Sequence, residues 1–238
     1  MKTFILHYQP LTERKIHMDK IIQSEKLDAE YVLKFDKEDL TDDDKKIFNF
    51  ETVWSGRTLW LSNASLICKH IEAYRLICHS NLAYGHILED DVILNTDFRE
   101  KANDYIKQLP ENWDILFFGD GYRGTMKVPK KVIDEEGGNV FLKPLSGNGM
   151  SGREVNGWPI CAGASRCSDN YVISNGCATK ILEYAADIRR GKRVRIDNPS
   201  DLWMNKMFRD LKLKIYWGDP TLSTQGTENG MFKSAHKK

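Results

Sequence analysis

Apolar positions fall into short runs along the chain, and the spacing within the runs switches between a strand period of two and a helical period near 3.6. Residues 2–8 read as a first strand, closed by Pro10, and Thr12 can cap a helix through Arg14, Ile16, Met18 and Ile22. Tyr31-Val32-Leu33 predicts a second strand, and the mixed-charge run 34–46 predicts a solvated loop with a helix start at Thr41-Asp42-Asp43-Asp44. Ser62 opens the clearest helix, where Leu66, Ile67, His70, Ile71, Tyr74 and Ile77 recur at three- and four-residue steps and form one apolar face. Residues 83–88 read as a short buried strand that runs straight into Glu89-Asp90-Asp91. Thr96-Asp97 caps a helix that stops before Pro110, and 113–118 is another strand, broken by Gly119 and Gly121. Beyond the middle of the chain, 170–174 and 194–196 predict strands, 178–188 and 202–211 predict helices, and 213–217 predicts the last clear strand. This alternation argues for an α/β fold with a largely parallel sheet, in which ligands bind beyond the carboxyl ends of the strands.

Glycine distribution adds one feature. Ten of the seventeen glycines lie between Gly119 and Gly163, so 119–168 reads as a long loop-and-hairpin insertion within a single domain over 1–238. Charge then excludes a class of partner. With 35 basic against 34 acidic side chains there is no excess to hold a nucleic-acid backbone or an anionic membrane. The longest stretch free of Asp, Glu, Lys and Arg, 76–88, is too short for a membrane span of about 20 residues. The start of the chain lacks the apolar run of about 7–15 residues that a signal peptide needs, which predicts a cytoplasmic protein. Cys68, Cys78, Cys161, Cys167 and Cys177 are odd in number and form no CxxC pair, a pattern that suits buried thiols better than a disulfide framework or a zinc site.

The acidic triplet is the strongest chemical signal. Side chains alternate along a strand, so Glu89 and Asp91 face one way and Asp90 the other. Their mutual repulsion calls for a cation or a basic group between Glu89 and Asp91, and oxygen ligands select a hard ion such as Mn²⁺ or Mg²⁺. The bland alternative is a solvated acidic cluster. The apolar flanks 84–88 and 92–94 weigh against it.

With these residues in place, the sequence resembles glycosyltransferase family 25, the lipopolysaccharide-type and procollagen galactosyltransferase-like enzymes. Ile87-Leu88-Glu89-Asp90-Asp91-Val92 is similar to the family signature. Leu11-Thr12-Glu13-Arg14, His70, Trp113-Asp114-Ile115-Leu116, Asn170-Tyr171-Val172-Ile173-Ser174, Pro199-Ser200-Asp201 and the closing Pro220–Gln225 segment with Ser234 resemble further family segments, in order along the chain. The resemblance implies a GT-A-type Rossmann-like domain and an inverting transfer from a nucleotide sugar, usually UDP-linked, with Mn²⁺ at an Asp-x-Asp-type site. A hexose, galactose or glucose, would pass to a hydroxyl of a glycan or of a hydroxylated, collagen-like peptide. The sequence departs from the family where Asn-Leu-Asp-Arg is replaced by His7-Tyr8-Gln9-Pro10 and where the Ser before His70 is Lys69.

Roles follow from what such a transfer needs. An ion on Glu89 and Asp91 would neutralise the departing diphosphate. Asp90 would orient ribose or sugar hydroxyls, or act as a structural carboxylate. Asp201, held ionised at a helix N-terminus, is the candidate base for the acceptor hydroxyl, with an ordinary helix cap as the alternative and Asp197 as the second choice. His236 or Gln225 could provide a third metal ligand. Arg14 would contact the diphosphate or base, or lie exposed in its helix; Tyr8 would stack on the nucleobase or fill core. Trp158 and the glycine-rich middle are the expected acceptor surface. Two other readings are an inactive sugar-nucleotide or carbohydrate-binding module of the same fold, and a metal-dependent phosphohydrolase or nuclease.

Overall fold

Strand β1 (Lys2–Leu6) is buried from Thr3 onward, which its unbroken Thr-Phe-Ile-Leu run requires of a strand covered on both faces. The computed structural model describes residues 1–51, 53–54, 57–121, 124–145, 154–155, 158–159 and 163–234. After β1 come α1 (Thr12–Ser24), β2 (Asp28–Val32), the short α2 (Asp42–Lys45), β3 (Val53–Trp54) and β4 (Arg57–Thr58). The long α3 (Leu61–His79) leads to β5 (Tyr84–Glu89), β6 (Val92–Leu94), α4 (Phe98–Lys107) and β7 (Ile115–Phe117). Then follow α5 (Lys130–Glu136), β8 (Val140–Lys143), β9 (Glu154–Val155), β10 (Trp158–Pro159), β11 (Asn170–Ser174), α6 (Asn175–Arg189), α7 (Ser200–Leu211), β12 (Ile215–Gly218) and β13 (Ser223–Gln225).

Seven strands form one mixed sheet in the order β2-β1-β5-β11-β7-β12-β8. Pairing directions set β2, β1, β5, β7 and β12 parallel to one another, with β11 and β8 reversed, so the α/β, mostly parallel expectation holds. Alternate residues serve the two faces. Phe4, Leu6, Ile87, Tyr171, Ile173, Phe117 and Trp217 join a core with Ile67 and Tyr74 of α3, Ile181 of α6 and Phe208 of α7. The intervening residues face the opposite way: Ile5 and Leu88 pack with Met18 of α1, while Leu116, Val172 and Tyr216 pack with Phe98 and Tyr105 of α4. Among the described residues no helix is long and apolar enough to cross a membrane.

From β1 the chain crosses to β2 on one side, then returns through α3 to β5 on the other side of β1. The strand order reverses there, which opens a crevice beyond the carboxyl ends of β1 and β5, the general ligand position in open α/β sheets. Leu6 pairs with Glu89 in this register, so His7, Tyr8 and the acidic triplet emerge side by side. A two-stranded sheet, Val92–Leu94 against Ser223–Gln225, fastens the C-terminal segment beside the triplet.

Several local expectations are corrected. Thr12 is the first residue of α1 rather than its cap; Leu11 occupies the cap and its carbonyl accepts from Arg14 and Lys15 N–H. Residues 194–196 form no strand, because only Ile196 finds a partner, bridging Phe48, while Val194 is left 70% exposed. The glycine-rich segment is not all loop and hairpin: α5 lies within it and β8 supplies the sheet's edge. Thr41 does start α2, in a reciprocal capping box with Asp44.

Gly85 lets β5 meet α3, since a Cβ there would stand 2.4 Å from Ile77 Cγ1. Gly85→Ala is expected to destabilise the protein by about 1–3 kcal/mol through overpacking, measured by urea unfolding. Addition of Ile77→Val should recover part of the loss, and an unchanged midpoint in the single variant would refute the contact's importance.

Candidate active site

Glu89 is the last residue of β5, and Asp90 and Asp91 make the turn into β6. They line a cleft of about 280 Å³ whose other walls include Tyr8 from the β1 end, Arg14 from α1, Lys69 from α3, Asp201 from α7, and Gln225 from the C-terminal segment.

Asp90 is buried and accepts hydrogen bonds on both oxygens. His7 Nδ1–H donates to Oδ2 at 2.8 Å, the Tyr8 backbone N–H donates to the same oxygen at 3.1 Å, and Arg14 Nη1 donates to Oδ1 at 2.7 Å. Burial works against the charge, but His7 and Arg14 prevail and hold the Asp90 carboxyl below its usual range. The structure thus gives Asp90 a structural role, with donors on both oxygens. Arg14 is buried as well, not an exposed helix arginine. Its Nη2 donates to Thr227 Oγ1 at 3.0 Å and to the Lys233 carbonyl at 2.7 Å, and its guanidinium lies 5.6 Å from the Phe232 ring centroid. Nη1 and Nη2 are engaged by Asp90 and the C-terminal segment, while Nε has no hydrogen-bond partner among the described residues. The altered His7-Tyr8 segment thus serves the triplet directly.

Asp91 is a different case. Thr227 Oγ–H donates to Oδ2, Arg14 Nη1 stands 3.8 Å away, and Oδ1 is buried without a hydrogen-bond partner among the described residues. Burial, then the charge of Glu89, pushes the Asp91 carboxyl up to about 6. One face of the triplet is neutralised by protein cations and the other is not.

Glu89 Oε1 accepts from Ser168 Oγ at 2.6 Å, and Ser168 Oγ lies 2.9 Å from Ser200 Oγ. On its inner side His70 Nε2 stands 3.7 Å from Oε1, while His70 Nδ1 is 2.8 Å from Tyr171 Oη, itself 2.6 Å from Tyr74 Oη. These groups are fully buried, so each hydroxyl proton must be used. One assignment uses both hydroxyl protons: Tyr74 O–H donates to Tyr171 and Tyr171 O–H donates to His70 Nδ1, which leaves Nε2–H facing Glu89 beyond hydrogen-bond distance.

Asp201 lines the cleft in the first turn of α7, adjacent to Ser200, with Oδ1 accepting from Leu202 N–H at 2.9 Å. Burial raises its carboxyl above the ordinary range; the backbone N–H donors at the helix start pull it down without prevailing, and Glu89 adds to the rise. Asp197 does not reach the cleft; it accepts from Asn198 Nδ2 at 2.6 Å in the turn before α7. Tyr8 is half-buried on the cleft wall, its hydroxyl donating to Glu38 at 2.7 Å and its ring 5.3 Å from Lys37 Nζ. Lys69, at the departure from the family pattern, is buried against Asp36 at 2.7 Å and donates to the Lys34 carbonyl. Gln225 lines the cleft from β13. His236 and the Trp158 side chain lie outside the described residues. Sequence reasoning missed Ser168, Thr227 and Asp169, because no local motif marks them; only pairing with β5 and the C-terminal return brings them near the triplet.

A family model described as glycosyltransferase family 25 (LPS biosynthesis protein) matches residues 1–200. The chain belongs to glycosyltransferase family 25. No curated protein matches it in sequence. Among solved structures, a mutant Drosophila beta-1,4-galactosyltransferase 7 in complex with manganese, UDP-Gal and xylobiose is similar over 100% of this chain and 75% of its own, at 10% identity and a TM-score of 0.43. Mouse xyloside xylosyltransferase 1 in its apo form is similar over 89% of this chain and 70% of its own, at 12% identity and a TM-score of 0.42. A197 from STIV covers 91% of this chain and 80% of its own at 14% identity and a TM-score of 0.33. In this family 25 chain the signature acids thus divide: Asp90 is bound by protein groups, whereas Asp91 keeps a bare oxygen.

Two outcomes follow. Arg14→Met strands a buried Asp90 charge and should cost about 3–5 kcal/mol, read as a lowered urea midpoint; an unshifted midpoint would show that His7 alone suffices. Asp91 has a folded pKa raised above its unfolded value near 3.9, so its contribution to stability is full below that value and lost as pH rises through about 6. With a chelator present, Asp91→Asn should therefore melt higher than wild type at pH 7, the gap closing as pH falls to about 4.

Proposed function

We propose that this family 25 protein is a metal-dependent inverting hexosyltransferase, moving galactose or glucose from a UDP-sugar to a hydroxyl of a glycan or hydroxylated peptide. The observation that supports it most is the buried, unpartnered Oδ1 of Asp91 in a cleft at the strand-order switch point. The residues fit a hard divalent ion: carboxylate oxygens are the right donors, and Asp91 has one to spare. Among the described residues no three acidic, His or Cys side chains converge to hold an ion. Glu89 and Asp91 would hold it, with Gln225 or His236 as a further ligand. When bound, the ion supplies charge neutralisation for the departing diphosphate.

The chain's own residues do the rest. Tyr8, at the end of β1, offers an aromatic wall for the nucleobase. Asp201 takes the proton of the acceptor hydroxyl, and its raised proton affinity suits that task better than an ordinary carboxylate would. Ser200 and Ser168 tie the α7 N-terminus, where Asp201 sits, to Glu89, so base and donor site move together. Residues 119–168, Trp158 among them, form the acceptor side.

Thermal shift against UDP-hexoses with and without Mn²⁺ tests the donor and ion together. Stabilisation by one UDP-hexose that requires Mn²⁺ is expected, with slow release of UDP; binding without any turnover would instead support an inactive binding module, and no response to any nucleotide would overturn the proposal. Asp201→Asn should lower turnover by about 10²–10⁴-fold while leaving donor-induced stabilisation intact. Retained turnover would remove Asp201 from the role of base.

A further inference from the structure

The turn between α6 and α7 concentrates positive charge. Of the seven residues from Arg189 to Arg195, five are basic (Arg189, Arg190, Lys192, Arg193 and Arg195) and none is acidic. Taking these five from the 35 basic side chains leaves the rest of the chain with an excess of acid, against 34 carboxylates. The near-neutral total, which argues against an anionic partner when taken over the whole chain, thus averages over one basic segment. The backbone fixes this segment at both ends. Gly191 takes a left-handed φ of +73°, its N–H donates to the Ile188 carbonyl at 3.0 Å, and the Lys192 N–H donates to the Asp187 carbonyl at 2.9 Å, which closes α6 as a Schellman motif. At the other end Ile196 is buried, its N–H donating to the Ile47 carbonyl and its carbonyl accepting from Asn49 N–H.

Between those anchors Val194 stands 70% exposed, flanked by Arg193 and Arg195, and is the most open large apolar side chain among the described residues. Helix-end chemistry accounts for part of the charge. Arg189 pairs with Asp43, Arg190 pairs with Asp187 at 2.8 Å, and Arg193 lies 3.7 Å from Asp210 and 4.2 Å from the Tyr184 ring centroid. Such solvent-exposed pairs are weak, so their cations still act on a larger anionic surface. Lys192 and Arg195 are exposed and form no ion pair among the described residues, so capping and pairing leave them unexplained. A single-stranded nucleic acid calls for aromatic side chains among the cations, on which bases stack, and residues 189–199 contain none. Cations around a protruding aliphatic side chain match instead the boundary between charged headgroups and acyl chains.

We propose that the α6–α7 turn is a docking surface for an anionic lipid bilayer, with Lys192, Arg195 and the neighbouring arginines at the headgroups and Val194 entering the interface. This is peripheral attachment, and it does not depend on the transferase reading. The full chain is sedimented with vesicles of phosphatidylglycerol and phosphatidylcholine in equal parts, and with vesicles of phosphatidylcholine alone. Pelleting with the mixed vesicles only is expected, and it should weaken as added salt screens the headgroup charge. Lys192→Glu combined with Arg195→Glu should weaken partitioning at least about tenfold, with the melting temperature unchanged because both side chains are exposed. Val194→Ser, which leaves the charge as it is, should weaken it roughly threefold and covers the case in which the double variant fails to fold. Lys130→Glu combined with Lys131→Glu, an equal change of net charge on α5, should pellet close to wild type. Absence of pelleting by the wild type, undiminished pelleting of either turn variant, or equal loss in the α5 control would overturn the proposal. Tighter binding of the wild type to duplex DNA at the same salt would assign the surface to a nucleic acid and overturn it equally.

Discussion

The buried ion pair between Arg14 and Asp90 is the interaction on which the site depends. One guanidinium joins the start of α1, the turn after β5 and the C-terminal segment, through Asp90, Thr227 and the Lys233 carbonyl. His7 completes it from the end of β1. A buried pair of this kind gives little net stability over an apolar substitute, but removing one partner leaves an uncompensated charge. The geometry is therefore held by penalty: each element must arrive for the others to be tolerated.

The pair also decides how charge is distributed. Asp90 is paired with Arg14 and His7, so the acids of the triplet left to the cleft are Glu89 and Asp91. Glu89 accepts from Ser168 at the cleft, and His70, held by Tyr171 and Tyr74, stands 3.7 Å behind it. Asp91 is steadied on one oxygen only. Preorganised carboxylates with a spare oxygen bind a cation without rearrangement, which is the condition for electrostatic stabilisation of a departing diphosphate.

Much of the fold was legible because its signals are local. The runs at β1, β5, β7 and β11 are short and apolar, and in the structure their alternate residues reach opposite layers. The apolar face of α3 was visible in its spacing, and Thr41 and Asp44 announced α2. Where a partner was needed, local signals failed. Residues 194–196 have strand character but only one bridging residue, and β8 lies in a glycine-rich segment yet completes the sheet edge. The site followed the same division. The cleft positions of the triplet, Asp201, Tyr8 and Gln225 were readable from pattern and resemblance, whereas nothing near Asp197 in the chain marks it as lying off the cleft wall.

By itself the sequence determined the order of elements, the α/β class and the emergence of three acids at a strand end, since hydrophobic period and turn residues act within a few positions. Only the tertiary structure decided which acid is bare. Arg14 meets Asp90 across 76 residues and the Lys233 carbonyl across 219, and Asp169 meets Glu89 only through an antiparallel ladder. Charge neutralisation depends on distance in space and on burial, neither of which is written in spacing along the chain.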